Sequence, residues 1–210
     1  ILPSNEEIQQ GEELDMDHYS SLRQQMQLSI LSFKAGVAAS ADLHFASFDT
    51  HQQSDENHAI LYNHLHSALD YFWTYAEEQG VADRITLVVG SDFGRTNFYN
   101  SSQDGKDHWP IGSLILMENN PSWGNRVVGL TDEGHNPLKI NPNTLQRDDT
   151  NGTVIYPKHV HNALRQYLNL SSSGGSIQYP LTNTEFIDFF NPSLITAGYQ
   201  SDPRNTVRIV

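Results

Sequence analysis

The sequence predicts an α/β fold with a mixed, mainly parallel sheet, and three observations support this prediction. Apolar residues recur at helical spacing over 17–39 and again over 56–79, which indicates two amphipathic helices. A continuous apolar run at 85–89 is typical of a strand that is covered on both faces. A shorter apolar run at 43–48 reads as a strand before the second helix. The order strand, helix, strand implies a right-handed crossover between two parallel strands.

The rest of the chain predicts shorter elements, separated by loops that are rich in Asn, Pro, Gly and Asp. The further strand candidates are 113–117, 126–130 and 154–156. Pro157 is expected to begin a helix, because proline suits the first helical turn. One or two helical turns are expected at 184–190.

Three regions follow from these patterns. Residues 1–16 are expected to form an acidic, solvated arm. Residues 17–170 carry the α/β domain. Residues 171–210 begin with a flexible Ser/Gly linker at 171–176 and continue as a C-terminal extension.

Composition excludes several classes of function. The 210 residues contain 12 basic and 25 acidic side chains, for a formal charge of −13, which argues against a nucleic-acid-binding surface. An anionic substrate is still compatible with this charge, because a bound cation can invert the local field. The chain has no cysteine, so disulfides, thiolate metal sites and cysteine nucleophiles are excluded. The apolar runs are too short to predict a transmembrane segment.

Carboxylate and imidazole side chains follow the ends of the predicted parallel strands. Asp49 and His51 follow the strand at 43–48, and Asp92 follows the strand at 85–89. Ligands of open α/β sheets bind beyond the carboxyl ends of the strands, and neighbouring strands lie about 5 Å apart. The sequence therefore predicts a divalent metal site here, with Zn, Mn, Fe or Ca as candidates.

The loop before the strand at 113–117 adds three polar residues to this site. His108 can join it only if that strand runs antiparallel to the other two. Asp107 is expected either to bind the metal or to support a residue that does. Arg95 is expected either to bind an anion or to form a salt bridge with Asp92 or Asp107.

Structural roles compete with these assignments. Asp92 also suits a turn, and Asp107 with His108 also suits a loop pair that orients Trp109. The remaining histidines of the predicted helices are expected to be solvated, namely His58, His64 and His66, or structural, namely His159 and His161.

The sequence offers weak nucleophile candidates. Ser91, Thr96 and Thr50 lie in the two polar loops, but no base can be assigned to any of them from sequence. The chain has no Gly-x-Ser-x-Gly elbow, no phosphate-binding P-loop and no dinucleotide fingerprint.

Several motifs together resemble one known family. They are Phe48-Asp49-Thr50-His51, Gly90-Ser91-Asp92-Phe93-Gly94-Arg95-Thr96, Asn100, Gly105-Lys106-Asp107-His108-Trp109-Pro110, Gly129-Leu130-Thr131-Asp132 and Val160-His161-Asn162-Ala163-Leu164-Arg165. The chain resembles, over roughly residues 25–170, an exported, sulfatase-like bacterial family of unknown function in the alkaline phosphatase superfamily. Members of that family carry a twin-arginine export signal.

The resemblance implies a three-layer, alkaline phosphatase-like sandwich with a metal site that hydrolyses phosphate or sulfate esters of small molecules or polymers. Asp49 and His51 look like the ligands of one metal, and His108 resembles a further ligand. Arg95 would clamp the anionic ester. Phe93 stands where a second metal has its ligand, so the resemblance does not supply a complete two-metal site.

The resemblance also implies that part of the domain lies outside this chain. Superfamily enzymes carry a metal-binding Asp and a Ser or Thr nucleophile on their first strands, and an N-terminal fragment of the same protein is expected to supply them. The expected location is periplasmic or extracellular. The alternative to an enzyme is a non-catalytic exported protein that keeps the fold and binds a metal or assists envelope assembly.

Overall fold

The computed structural model describes residues 17–101 and 103–194, so the predicted arm at 1–16 lies outside the described residues. The chain divides between Asn119 and Asn120 into two compact units. This division falls inside the range 17–170 that the sequence assigns to one domain.

Two long helices form the core of the first unit. Helix α1 spans Asp17–Lys34 and helix α2 spans Ser54–Glu78, which confirms both predicted helices. Their apolar faces pack together, and the buried side chains include Met26 and Ile30 of α1 and Phe72 of α2. Glycine follows the end of α2 because Gly80 has a φ of +69°, which favours a residue without Cβ.

The predicted strand at 43–48 is wrong, because these residues form no strand in the described structure. Leu43 and Phe45 pack against the helical core instead. The side-chain amide of Gln25 pairs with the backbone of His44, donating to its carbonyl at 3.1 Å and accepting from its N–H at 2.8 Å. A side chain of α1 thus satisfies the groups that a neighbouring strand would have bonded.

In the described ranges, four short strands make two antiparallel pairs. Strand β1 (Leu87–Gly90) pairs with β4 (Leu114–Met117), and β2 (Gly94–Arg95) pairs with β3 (His108–Trp109). The third predicted strand is therefore antiparallel to the second, as the placement of His108 required. The three-layer sandwich stays a prediction.

The expectation that 85–89 is covered on both faces is wrong for the described residues. Val88 of β1 is 43% exposed, and Leu114 of β4, which pairs with Gly90, is 44% exposed. The physical reason is that this sheet has only two strands in the part of the chain that the structure describes.

Helix α2 carries one histidine that departs from the prediction. His64 is buried rather than solvated, because it lies on the same side of α2 as Ala68 and Phe72. His66 is exposed, as predicted.

The second unit is mostly irregular. Helix α3 spans Pro157–Tyr167, which confirms the predicted helix, and buried His159 accepts a hydrogen bond at Nδ1 from the Tyr156 N–H at 3.0 Å. His159 is therefore structural, as predicted. The predicted strands at 126–130 and 154–156 do not form.

The C-terminal predictions also differ from the structure. Helix α4 spans Gly174–Gln178 and begins inside the predicted linker at 171–176, where the Ser173 side chain caps its first turn. Residues 184–190 form no helix, and a 3₁₀ turn follows at Pro192–Leu194. Among the helices of the described ranges, none has the apolar length that a bilayer crossing requires.

Truncating Phe72, which is 2% exposed, is expected to destabilise the first unit by about 3–5 kcal/mol, because Phe72→Ala leaves a cavity between α1 and α2. Native-state hydrogen exchange of the α2 amides measures this loss. Ile60→Ala on the same helix is the control; Ile60 is 48% exposed, and its change should stay within about 0.5 kcal/mol. Equal losses of stability in Phe72→Ala and Ile60→Ala would contradict the packing of Phe72 between α1 and α2.

Candidate metal centre

Side chains from two distant parts of the sequence meet at one carboxylate oxygen, that of Asp49. Oδ1 of Asp49 lies 3.2 Å from Nε2 of His51 and 2.8 Å from Nε2 of His108. One ligand atom from each of the three residues lies within 4.8 Å of the other two. This is a spacing at which one ion can contact all three atoms.

The antiparallel ribbon of β2 and β3 brings His108 to this point. Its register pairs Arg95 with His108 directly across the two strands. Residues paired in this way project their side chains from the same face of a ribbon. Both side chains contact the Asp49 carboxylate, so the ribbon presents one face to the loop that carries Asp49.

Arg95 joins three segments of the chain. Nη1 donates to the carbonyl of Lys106 at 3.1 Å, and Nη2 donates to the carbonyl of Phe48 at 3.0 Å and to the Asp49 carboxylate. Its side chain is only 11% exposed. Of the two predicted roles, the structure favours the salt bridge. The partner is Asp49, however, and not the predicted Asp92 or Asp107.

Asp107 contacts the His51 ring at Nδ1, whereas the Nε2 atom of the same ring faces Asp49. Oδ1 of Asp107 lies 3.2 Å from Nδ1 of His51 and accepts a hydrogen bond from Asn100 at 3.0 Å. The Asn100 amide and then the His51 ring hold the pKa of Asp107 below its ordinary value. A carboxylate in this position fixes the orientation of the imidazole, which matches the supporting role predicted for Asp107.

Asp92 is exposed and does not belong to the group formed by Asp49, His51 and His108. The structure therefore brings together three of the five predicted ligands, with Asp107 behind them. Burial does not shield the group, since the side chains of Asp49, His51 and His108 are 61%, 48% and 50% exposed.

Arg95 extends to lower pH the range over which the Asp49 carboxylate is charged. Its hydrogen bond to Asp49, followed by that of His108, lowers the pKa of Asp49 from 3.8 to about 2. The carboxylate is consequently charged, and available to a cation, at every pH above this range.

The loop after Phe48 is held by hydrogen bonds to residues for which the sequence predicted no such role. Nε2 of His58 lies 3.0 Å from the Phe48 carbonyl and 3.0 Å from Oγ1 of Thr50. A carbonyl can only accept, so Nε2 of His58 carries its proton and is a poor base for Thr50. His58 is thus a structural residue here and not a solvated one.

Ser54 completes the fastening of this loop. It is fully buried, donates to the Thr50 carbonyl at 3.0 Å and accepts from the Lys106 N–H at 2.9 Å. Ser54 and His58 are four residues apart, which places them along one side at the start of α2, and Thr50 lies four residues before Ser54 in the preceding loop. This spacing is the sequence signal that could have identified them.

Comparison with known proteins places the chain in one family. The family described as "Protein of unknown function (DUF1501)" matches residues 9–146, and the chain belongs to this family. No curated protein and no solved structure matches the chain.

Replacing Arg95 should raise the pKa of Asp49. We expect Arg95→Ala to move it from about 2 toward 3.8, because the largest cause of the lowering is the Arg95 hydrogen bond. NMR titration of the Asp49 carboxyl carbon measures this pKa. Arg147→Ala removes an exposed arginine of the second unit and should leave it unchanged.

This pKa also gives the sign of a pH effect. Because the folded-state pKa is lowered, the contacts of Asp49 contribute to stability above pH 3.8 and are lost as the pH falls through about 2. If the NMR titration of Asp49 in the unsubstituted protein had its midpoint near pH 3.8, the result would contradict the contact with Arg95.

Gly105 is required by a close approach of two backbone segments. A Cβ at this position would lie 1.8 Å from the carbonyl oxygen of His51. Backbone atoms cannot move aside as a flexible side chain can, so we expect Gly105→Ala to displace His51 and to cost about 1–3 kcal/mol.

Hydrogen exchange of two nearby amides checks this prediction. The Gln53 and Ser54 N–H groups donate to the carbonyls of Gln103 and Asp104 across the same contact, and should exchange faster in Gly105→Ala. Gly174→Ala is the control, since a Cβ there meets no atom within 4 Å. Unchanged exchange in Gly105→Ala would contradict the close approach.

Proposed function

We propose that Asp49, His51 and His108 bind one divalent metal ion, and that the intact protein uses it to hydrolyse phosphate or sulfate esters. The observation that carries this proposal is the convergence of two imidazole nitrogens and one carboxylate oxygen within 4.8 Å. The esterase activity rests in addition on the resemblance to sulfatase-like proteins.

The donor set fits a transition metal. Two imidazoles and one carboxylate leave further coordination positions open, as in catalytic zinc sites and in non-haem iron sites. Calcium is the least favoured candidate, because it prefers six to eight oxygen ligands. Asp107, 3.2 Å from Nδ1 of His51, would hold that imidazole with Nε2 directed at the ion.

A divalent ion at such a site polarises an ester oxygen and lowers the pKa of bound water. The chain's own residues shape this site. Arg95 donates to the Asp49 carboxylate and to two backbone carbonyls, so we propose that it positions Asp49 and adds positive charge near the ester. The predicted clamp on the ester is less favoured, because these donors are already engaged.

Several further properties are proposed from the resemblance. They are a three-layer, alkaline phosphatase-like sandwich, export by a twin-arginine signal to the periplasm or the exterior, and a nucleophile supplied by an N-terminal part of the same protein. The ester would be anionic and either small or polymeric.

A non-catalytic metal-binding protein is the second candidate, and the hydroxyl groups of the two loops favour it. Oγ of Ser91 donates to the Phe93 carbonyl at 2.8 Å, and Oγ1 of Thr96 donates to the Phe98 carbonyl at 2.7 Å. Hydroxyl groups held in this way are poorly placed to attack an ester. Metal binding without ester turnover by the full-length protein would select this candidate.

Metal analysis of the purified chain tests the site. We expect about one Zn²⁺, Mn²⁺ or Fe²⁺ per chain by mass spectrometry after saturation and desalting, because the three ligands surround one position. His51→Ala and His108→Ala should lose the ion, since two remaining ligands hold a metal weakly. His66→Ala removes an exposed histidine of α2 and should retain it.

Two outcomes would count against the proposal. Equal metal content in His108→Ala and in the unsubstituted chain would place the ion elsewhere. Absence of metal from the unsubstituted chain, even after saturation with each ion, would reject the metal site. Hydrolysis of p-nitrophenyl phosphate and p-nitrophenyl sulfate by the full-length protein then tests the activity separately.

A further inference from the structure

The aromatic ring of Phe93 lies flat against the imidazole of His108. The two ring centroids are 4.0 Å apart and the ring planes differ by 22°. We infer that Phe93 is a positioning residue, which holds His108 with Nε2 directed at Asp49. The inference concerns the same site as the proposed function and rests on it for its consequence in metal binding.

The backbone explains why these rings meet. Phe93 is two residues before Arg95, so both project from the same face of the extended chain. Arg95 is paired with His108 across the ribbon of β2 and β3, which makes Phe93 the diagonal neighbour of His108. Diagonal neighbours are within reach of aromatic side chains.

The two imidazoles of the site are supported in different ways. His51 has the Asp107 carboxylate 3.2 Å from Nδ1, which sets the orientation of its ring by a polar contact. His108 instead contacts two rings: its centroid is 4.0 Å from that of the stacked Phe93 ring and 5.0 Å from that of the tilted His51 ring. Rotation of the His108 ring out of this arrangement would give up the stacking with Phe93.

Phe93 is itself held in place. The Arg95 guanidinium carbon lies 5.5 Å from the centroid of the Phe93 ring, within the range of a cation–π contact. The same guanidinium donates to the Asp49 carboxylate. Phe93, Arg95 and His108 therefore form one contiguous surface that faces Asp49.

A leucine at this position should keep apolar volume but lose the flat face. We therefore expect Phe93→Leu to weaken Co²⁺ binding by about tenfold or more, which is the effect of removing groups that orient a metal ligand. Phe93→Tyr keeps the ring and should bind like the unsubstituted chain. Phe98→Leu is the matched control, since Phe98 is 56% exposed and lies in the same loop.

The experiment has two readouts on the unsubstituted chain, Phe93→Leu, Phe93→Tyr and Phe98→Leu, and Co²⁺ binding is also measured for His108→Ala. Absorption titration with Co²⁺ gives the affinity and reports ligand geometry through the visible bands. NMR of the metal-free proteins gives the shifts of the His108 ring protons, which a stacked benzene ring moves upfield. Far-UV circular dichroism of each variant checks that it is folded.

The result that supports the inference has two parts. The upfield shift of the His108 ring protons should be present in the unsubstituted chain and in Phe93→Tyr. In Phe93→Leu the shift should be lost and Co²⁺ binding should be weaker by about tenfold or more. Unchanged affinity in Phe93→Leu, while His108→Ala loses Co²⁺, would overturn the inference and leave the proposed function standing. If the unsubstituted chain binds neither Co²⁺ nor any of Zn²⁺, Mn²⁺ and Fe²⁺, the proposed function fails. The upfield shift alone then decides whether Phe93 orients His108.

Discussion

The hydrogen bonds of Arg95 are the interaction on which the site depends. One guanidinium binds the carbonyl of Phe48, the carboxylate of Asp49 and the carbonyl of Lys106, and so joins the two loops to the β2–β3 ribbon. Neither loop belongs to a sheet in the described structure, so local secondary structure does not hold them together. A single, largely buried cation performs this role, and it also lowers the pKa of Asp49.

Residues that are not themselves candidate ligands support the candidate centre by contacting the ligand residues. Asp107 orients His51, Phe93 lies against His108, and Gly105 lets the two loops approach to backbone contact. Such support matters because half-exposed ligands, as these are, have little packing of their own to fix their rotamers. For a member of a family of unknown function, this arrangement gives a ligand set that can be tested residue by residue.

Much of the fold could be predicted where the signal is local. Helices α1 and α2 follow from apolar periodicity, which depends only on residues within a few turns. The error at 43–48 has a non-local cause, since apolar residues there pack on the helices and the side chain of Gln25 takes the place of a strand partner. Short apolar runs do not reveal which neighbour they will find.

The sequence by itself determined the kinds of candidate ligand and their approximate place, namely carboxylates and imidazoles in two polar loops. Only the tertiary structure decided which of them meet. His108 reaches Asp49, 59 residues away, because the register of a two-residue ribbon sets it opposite Arg95. Asp107, its neighbour in sequence and the last residue before β3, contacts Nδ1 of His51 instead of Asp49. Register is a property of paired strands, so no local pattern contains it.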